Sequence, residues 1–172
     1  MMTTTSKATT PPAPDANKRR MTIERSYKAS IEDVWELWTT DEGIESWWGP
    51  EGFSVKVRKL DLRPGGELKY AMTATAPEQI DFMKRAGMPL TTETQVKYTE
   101  VVPHQRLGYT TVADFIPGMK PYDVETTVEF HASAQGVRMV LTFDAMHDET
   151  WTQRQRMGHE SQLRKLDQVL AK

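Results

Sequence analysis

The sequence predicts an α+β domain in which a curved, seven-stranded antiparallel sheet wraps one long C-terminal helix. Three observations predict it. Seven stretches between residues 23 and 145 carry the two-residue apolar–polar alternation of half-buried strands. Turn-forming residues separate several of them at hairpin spacing, among them Pro64-Gly65-Gly66 and Gln135-Gly136. The stretch from Asp148 to Lys172 then runs without a proline, long enough for a helix of more than twenty residues.

In order along the chain, Ile23 to Ala29 sets Ile23, Arg25 and Tyr27 against Glu24, Ser26 and Lys28. Ser30 opens a helix, and Asp33 three residues later completes a capping-box pattern; Val34, Trp35, Leu37 and Trp38 supply its buried stripe. A second short helix is predicted over Asp41 to Trp48, ended by Gly49-Pro50. Phe53, Val55 and Val57 then alternate with Ser54, Lys56 and Arg58, and after the turn Leu68, Tyr70, Met72 and Ala74 share one face. Thr94–Val102 and Arg106–Val112 join at Pro103-His104-Gln105. Tyr122–His131 and Val137–Ala145 form the last hairpin, with inner faces Val124/Thr126/Val128/Phe130 and Met139/Leu141/Phe143. Such a meander buries one face and leaves the other wet. Asp148 is a good N-cap for the final helix, with Glu149 well placed in its first turn. Curling the sheet around that helix is the simplest way to bury both.

The 172 residues suffice for one domain with a sizeable core. Twenty-two lysines and arginines nearly balance 24 aspartates and glutamates. No general field attracts a phosphate backbone, so nucleic acid is not an expected partner. The absence of cysteine excludes disulfides, thiolate metal sites and cysteine nucleophiles. Residues 1–20, MMTTTSKATTPPAPDANKRR, hold no apolar stretch of signal-peptide or membrane length, and their Thr/Pro/Ala bias reads as a disordered tail. A transit peptide is the alternative, without an amphipathic pattern to support it. A single domain is therefore expected over 21–172, in the cytoplasm and with no membrane partner.

Several ordered motifs resemble a known family. They are Arg25 through the Ala29-Ser30 helix start, Val34-Trp35, Thr39 and Trp47-Trp48-Gly49-Pro50. Leu60-Asp61-Leu62-Arg63-Pro64-Gly65-Gly66, Glu100-Val101-Val102-Pro103 with Arg106-Leu107, and the Gly158 helix continue the series. Together they resemble the family homologous to the C-terminal domain of the heat-shock-protein ATPase activator, within the START/polyketide-cyclase/pollen-allergen superfamily. The resemblance spans residues 21–170. It implies a helix-grip fold with a cavity between sheet and helix. Roles within the superfamily range over ligand carriers, cyclases and chaperone activators, so it implies fold more narrowly than function. Two departures stand out: His159 occupies a place where relatives commonly carry tryptophan after the helix glycine, and the segment after the third strand is longer than in the simplest members.

On the final helix, Leu163, Leu166 and Leu170 share a face that continues backward through His159, Arg156, Gln155 and Thr152. That face is apolar in its second half and polar in its first. The polar half reads either as one end of a ligand pocket, with His159 as donor or acceptor, or as a solvent-facing mouth. Gly158 beside it suggests close approach to the sheet, since a mid-helix glycine costs about 1 kcal/mol. Residues 76–90 read as a short amphipathic helix with Ile80 and Met83 on one face and Gly87 at its end. It is a lid over the cavity, a dimer contact or plain packing. Tyr70, Tyr98 and Tyr109 each offer a phenol from a presumed inner strand face. Met72, Met83, Met88, Met139, Met146 and Met157 are candidates for an adaptable cavity lining or a methionine-rich core. Trp47-Trp48 reads as a structural plug.

The four histidines form neither HxH nor HExxH, no nucleophile elbow or phosphate loop is present, and neither metal nor cofactor is expected. The leading expectation is therefore a domain that binds a small apolar or amphipathic molecule. Its proposed lining is Tyr70, Met72, Tyr98, Tyr109, Phe143, Gln155, His159 and Leu163, with Phe82 and Met83 as cover. A cyclase- or hydrolase-like enzyme using His159 as acid–base is the alternative. A chaperone-activator-like interaction domain ranks last, because the separate N-terminal domain of those activators is missing from this chain.

Overall fold

The computed structural model describes residues 19–114 and 116–171. Of the expected tail, residues 1–20, residues 1–18 lie outside the described residues, and Arg20 already begins the first strand. The chain runs β1 (Arg20–Tyr27), α1 (Ile31–Thr39), α2 (Asp41–Glu45), β2 (Phe53–Leu60), β3 (Glu67–Ala74), α3 (Pro77–Arg85), β4 (Thr91–Val102), β5 (Arg106–Ala113), β6 (Tyr122–Ser133), β7 (Gly136–Asp144) and α4 (Glu149–Leu170). All seven strands form one antiparallel sheet in the order β1-β7-β6-β5-β4-β3-β2. Five of the six pairings are between consecutive strands, and β1 comes back to lie beside β7. This is the helix-grip architecture.

The helix starts follow the local chemistry. Ser30 caps α1, its Oγ accepting the Asp33 backbone N–H at 3.1 Å, and Asp148 caps α4 by accepting from Trp151 N–H at 2.8 Å. α2 stops at Glu45, short of the expected Trp48. Both Trp47 and Trp48 amides turn back to the Ile44 carbonyl, and their rings drop into the core. There Trp47 Nε1 donates to the Leu37 carbonyl at 2.8 Å, and Trp38, Trp47 and Trp48 pack edge to face. The tryptophan pair is thus the plug that its position suggested.

One contiguous core joins the sheet to the second half of α4, with Val128, Met139, Leu141, Phe143, Leu163 and Leu166 almost wholly buried. Bulges between Val57 and Lys59 and between Tyr98 and Glu100 interrupt the ladders, the kind of interruption that bends a sheet. Gly108 lies opposite the second bulge. A side chain there would come within 2.7 Å of Thr99 Oγ1 and 3.2 Å of Glu100 Cβ, so only glycine fits without displacement.

Polar latches hold α4 to both edges of the sheet. Tyr27 on β1 donates to Asp167 at 2.7 Å, and Arg25 pairs with Glu160 at 2.5 Å and Asp167 at 3.3 Å. At the other edge, the Lys165 ammonium donates to the Trp48, Gly49 and Phe53 carbonyls at 3.1, 3.3 and 3.0 Å. Glu51 adds an ion pair with Arg164 at 2.8 Å. Gly158, in contrast, overturns its expected role: a methyl group placed on it meets nothing within 4 Å. Its residue faces open space, so close approach to the sheet does not explain it.

Candidate functional site

The bulky leucines of α4 begin at Leu163, so the first half of the helix does not fill the concave face of the sheet as the second half does. Between this half of α4 and strands β3 to β6 lies a cavity of about 450 Å³. Tyr70 and Met72 from β3, Thr92 and Thr94 from β4, Thr111, Val112 and Ala113 from β5, and Val124 from β6 form one wall. Met146, Trp151, Arg154 and Gln155 form the other, and Asp114 completes the lining. The walls are methionine, aromatic and aliphatic surface interspersed with uncharged hydroxyls. The two charged members, Arg154 and Asp114, are exposed and mark the rim, where the Arg154 guanidinium sits 4.8 Å from the Trp151 ring centre. Clefts of similar volume occur along β1 and its flanking loops, but charged surface residues such as Lys28 and Asp33 border them.

Two polar atoms on α4 have no partner. Gln155 Oε1 and His159 Nε2 are both shielded from solvent and make no hydrogen bond. Residues four apart on a helix lie on one face, so the two groups stack one turn apart, with Gln155 lining the cavity and His159 beyond it. The His159 ring packs on Phe143 with centroids 4.6 Å apart. This apolar burial drives its pKa from 6.5 down to about 4, against a smaller opposing pull from Glu160, so the imidazole is neutral near pH 7. A third unpartnered atom, Trp38 Nε1, lies in the tryptophan cluster.

Thr152 shares the inward face, but its hydroxyl is fully used: it donates to the Asp148 carbonyl at 2.7 Å and accepts from Met146 N–H at 2.9 Å. It secures the start of the helix. Nearby, the Tyr122 hydroxyl and His147 Nδ1 lie 2.9 Å apart, joining β6 to the residue before that cap.

The residues singled out in the sequence distribute as follows. Tyr70, Met72 and Gln155 line the cavity together. Tyr98, Tyr109, Phe143 and Leu163 are buried in the core below it. Burial holds the Tyr70, Tyr98 and Tyr109 phenols well above the usual tyrosine range, and the nearness of the other two adds to the rise at Tyr109. Trp48 and Thr94 flank the Tyr70 hydroxyl, and Thr126 flanks that of Tyr109, each moderating the rise that burial causes. Phe82 is 61% exposed and Met83 is buried; neither contributes to the cavity wall. Their helix, α3, contacts β3, where Ala71 is buried although it alternates to the face opposite Tyr70 and Met72.

Sequence reasoning did not nominate Thr92, Thr94, Thr111, Trp151 or Arg154. Thr92 and Thr94 carry a signal in hindsight, being two apart and therefore on one strand face. Trp151 and Arg154 carry none, because which side of the first α4 turn meets the sheet depends on the helix's docking angle. Among the described residues, no group of three acidic or histidine side chains could hold a metal ion. No helix among them is long and apolar enough to cross a membrane.

The fold recurs in solved structures at low identity. A protein from Chromobacterium violaceum is 23% identical, with a TM-score of 0.69, covering 88% of this chain and 96% of its own. The AHSA1 protein from Silicibacter pomeroyi is 24% identical, with a TM-score of 0.65 and coverages of 89% and 98%. An AHSA1-like protein from Aeromonas hydrophila is 21% identical, with a TM-score of 0.63 and coverages of 88% and 94%. No curated protein matches the chain significantly. The profile of one family, described as Activator of Hsp90 ATPase homolog 1-like protein, matches residues 28–171. With nearly the whole folded region matched, the chain belongs to the Activator of Hsp90 ATPase homolog 1-like family.

Proposed function

We propose that this protein binds a small, mainly apolar molecule in the cavity between its sheet and the first half of α4. The observation that carries the proposal is that Gln155, which lines the cavity, keeps its Oε1 buried and without a partner, as does His159 Nε2 one turn further along α4. An unsatisfied buried polar group costs about 1–3 kcal/mol, and a ligand that supplies the missing hydrogen bond recovers part of that cost. A volume of about 450 Å³ lies in the range typical of small-molecule sites. A cytoplasmic setting, with which the cysteine-free composition is compatible, belongs to the same proposal.

Titration with the neutral fluorescent hydrophobe N-phenyl-1-naphthylamine tests it. Saturable binding at one site per chain is expected, and Val124→Trp, which fills the cavity from β6, should abolish it in a variant that retains its circular dichroism spectrum. Non-saturable binding, or binding indifferent to Val124→Trp, refutes the reading. The family match favours a second reading, an interaction with Hsp90 of the kind its description names. Stimulation of Hsp90 ATPase by the purified chain is its test, and unchanged ATPase counts against it.

A further inference from the structure

We infer that the preferred occupant of this cavity carries an uncharged hydroxyl, which enters first and hydrogen-bonds to Gln155 and His159. The inference rests on the ligand-binding reading above and specifies its chemistry. It comes from what the inner end of the site can and cannot satisfy.

Charge is the first constraint. The cavity's charged side chains, Arg154 and Asp114, are exposed at its rim, while its inner lining is Met72, Thr94, Val124, Met146 and Gln155. A carboxylate or ammonium group carried inward would lose its hydration without meeting an opposite charge, which costs several kcal/mol. His159 does not change this, because its ring lies against Phe143, and burial keeps it neutral above about pH 4. A carboxylate is therefore turned outward, where Arg154 can meet it, or rejected.

Hydrogen-bond valence is the second constraint. Gln155 Oε1 is an acceptor awaiting a donor, and the neutral His159 ring offers one donor and one acceptor nitrogen according to its tautomer. The amide setting and the tautomer are both assigned from the bonding network, and here the network supplies no partner to fix either. A hydroxyl donates one bond and accepts others, so while donating to Gln155 Oε1 it can also accept from His159 when that ring carries its proton on Nε2. With Gln155 Oε1 in its buried position, a carbonyl or ether, which only accepts, leaves that oxygen unpaired. The remaining surface asks for an apolar body: Met72, Met146 and Trp151 are adaptable or flat, and the strand threonines present methyl groups beside their hydroxyls.

Competition against N-phenyl-1-naphthylamine with naphthalene, 2-naphthol and 2-naphthoate tests the inference, because the three share one apolar body and differ in the polar group. One net hydrogen bond is worth about 1 kcal/mol, so 2-naphthol should compete about fivefold better than naphthalene and better still than 2-naphthoate. In Gln155→Leu and His159→Leu proteins the ratio of 2-naphthol affinity to naphthalene affinity should fall toward one, whatever happens to naphthalene binding itself. If 2-naphthol gains nothing over naphthalene, ordered water satisfies the pair and the inference falls while the cavity reading stands. Preference for 2-naphthoate, or a 2-naphthol advantage that survives both substitutions, also overturns it. Failure of the fluorescent probe itself to bind removes the ligand-binding reading and this inference together.

Discussion

Replacing His159 by leucine should change how stability depends on pH, and the size of the change follows from the structure. The ring is packed on Phe143 with its Nε2 out of solvent and unpartnered, and its pKa falls from 6.5 to about 4. Between those two values the unfolded chain holds a proton that the folded chain refuses. The unfolded state therefore binds more protons, and stability rises with pH across the window. Above about pH 6.5 the imidazole is neutral in both states and exacts no penalty; below about pH 4 it is protonated in both and the penalty is complete. At about 1.4 kcal/mol per pH unit, the displacement amounts to about 3 kcal/mol. Urea unfolding of wild type and His159→Leu from pH 4 to pH 7.5 isolates this contribution, because all other titrating groups are common to the two proteins. The stability of wild type relative to the variant should rise by about 3 kcal/mol from the acid end to the neutral end. A difference that stays flat would show that His159 reaches water or a partner in the folded state and that its burial is misread.

Other substitutions bear on the latches and on the helix. Lys165→Met removes an ammonium bonded to three carbonyls and should cost about 2 kcal/mol, or roughly 5 °C in Tm by calorimetry; an unchanged Tm would mean that the contact contributes nothing. Tyr27→Phe deletes the 2.7 Å bond to Asp167 and should lower stability by about 1 kcal/mol in chemical denaturation. Gly158→Ala should raise stability by about 0.5–1 kcal/mol, because the added methyl meets no atom within 4 Å; a loss in the same assay would reveal a contact made in solution.

Most of the fold was legible because its signals are local. Strand alternation depends on neighbours two residues apart, so Val124, Thr126, Val128 and Phe130 announced one buried face, and all four are buried. Ser30 and Asp148 announced helix starts through bonds that reach only three residues. Where local reading failed, a contact distant in sequence decided the outcome. α2 ended early because two tryptophans found a core, and Gly158 proved open because the helix places it away from the sheet.

For the site, periodicity alone showed that the α4 face changes from polar to apolar near His159. It could not show that Thr152 spends its hydroxyl on the helix cap while Gln155 and His159 find no partner. Nor could it show that Tyr98 and Tyr109 lie in the core while Tyr70 reaches the cavity. The sequence by itself determined the elements, their order and which residues face inward, because backbone geometry translates spacing directly into faces. Only the tertiary structure decided which inward groups are satisfied and where space is left between them, since both depend on the angle at which a helix meets a sheet.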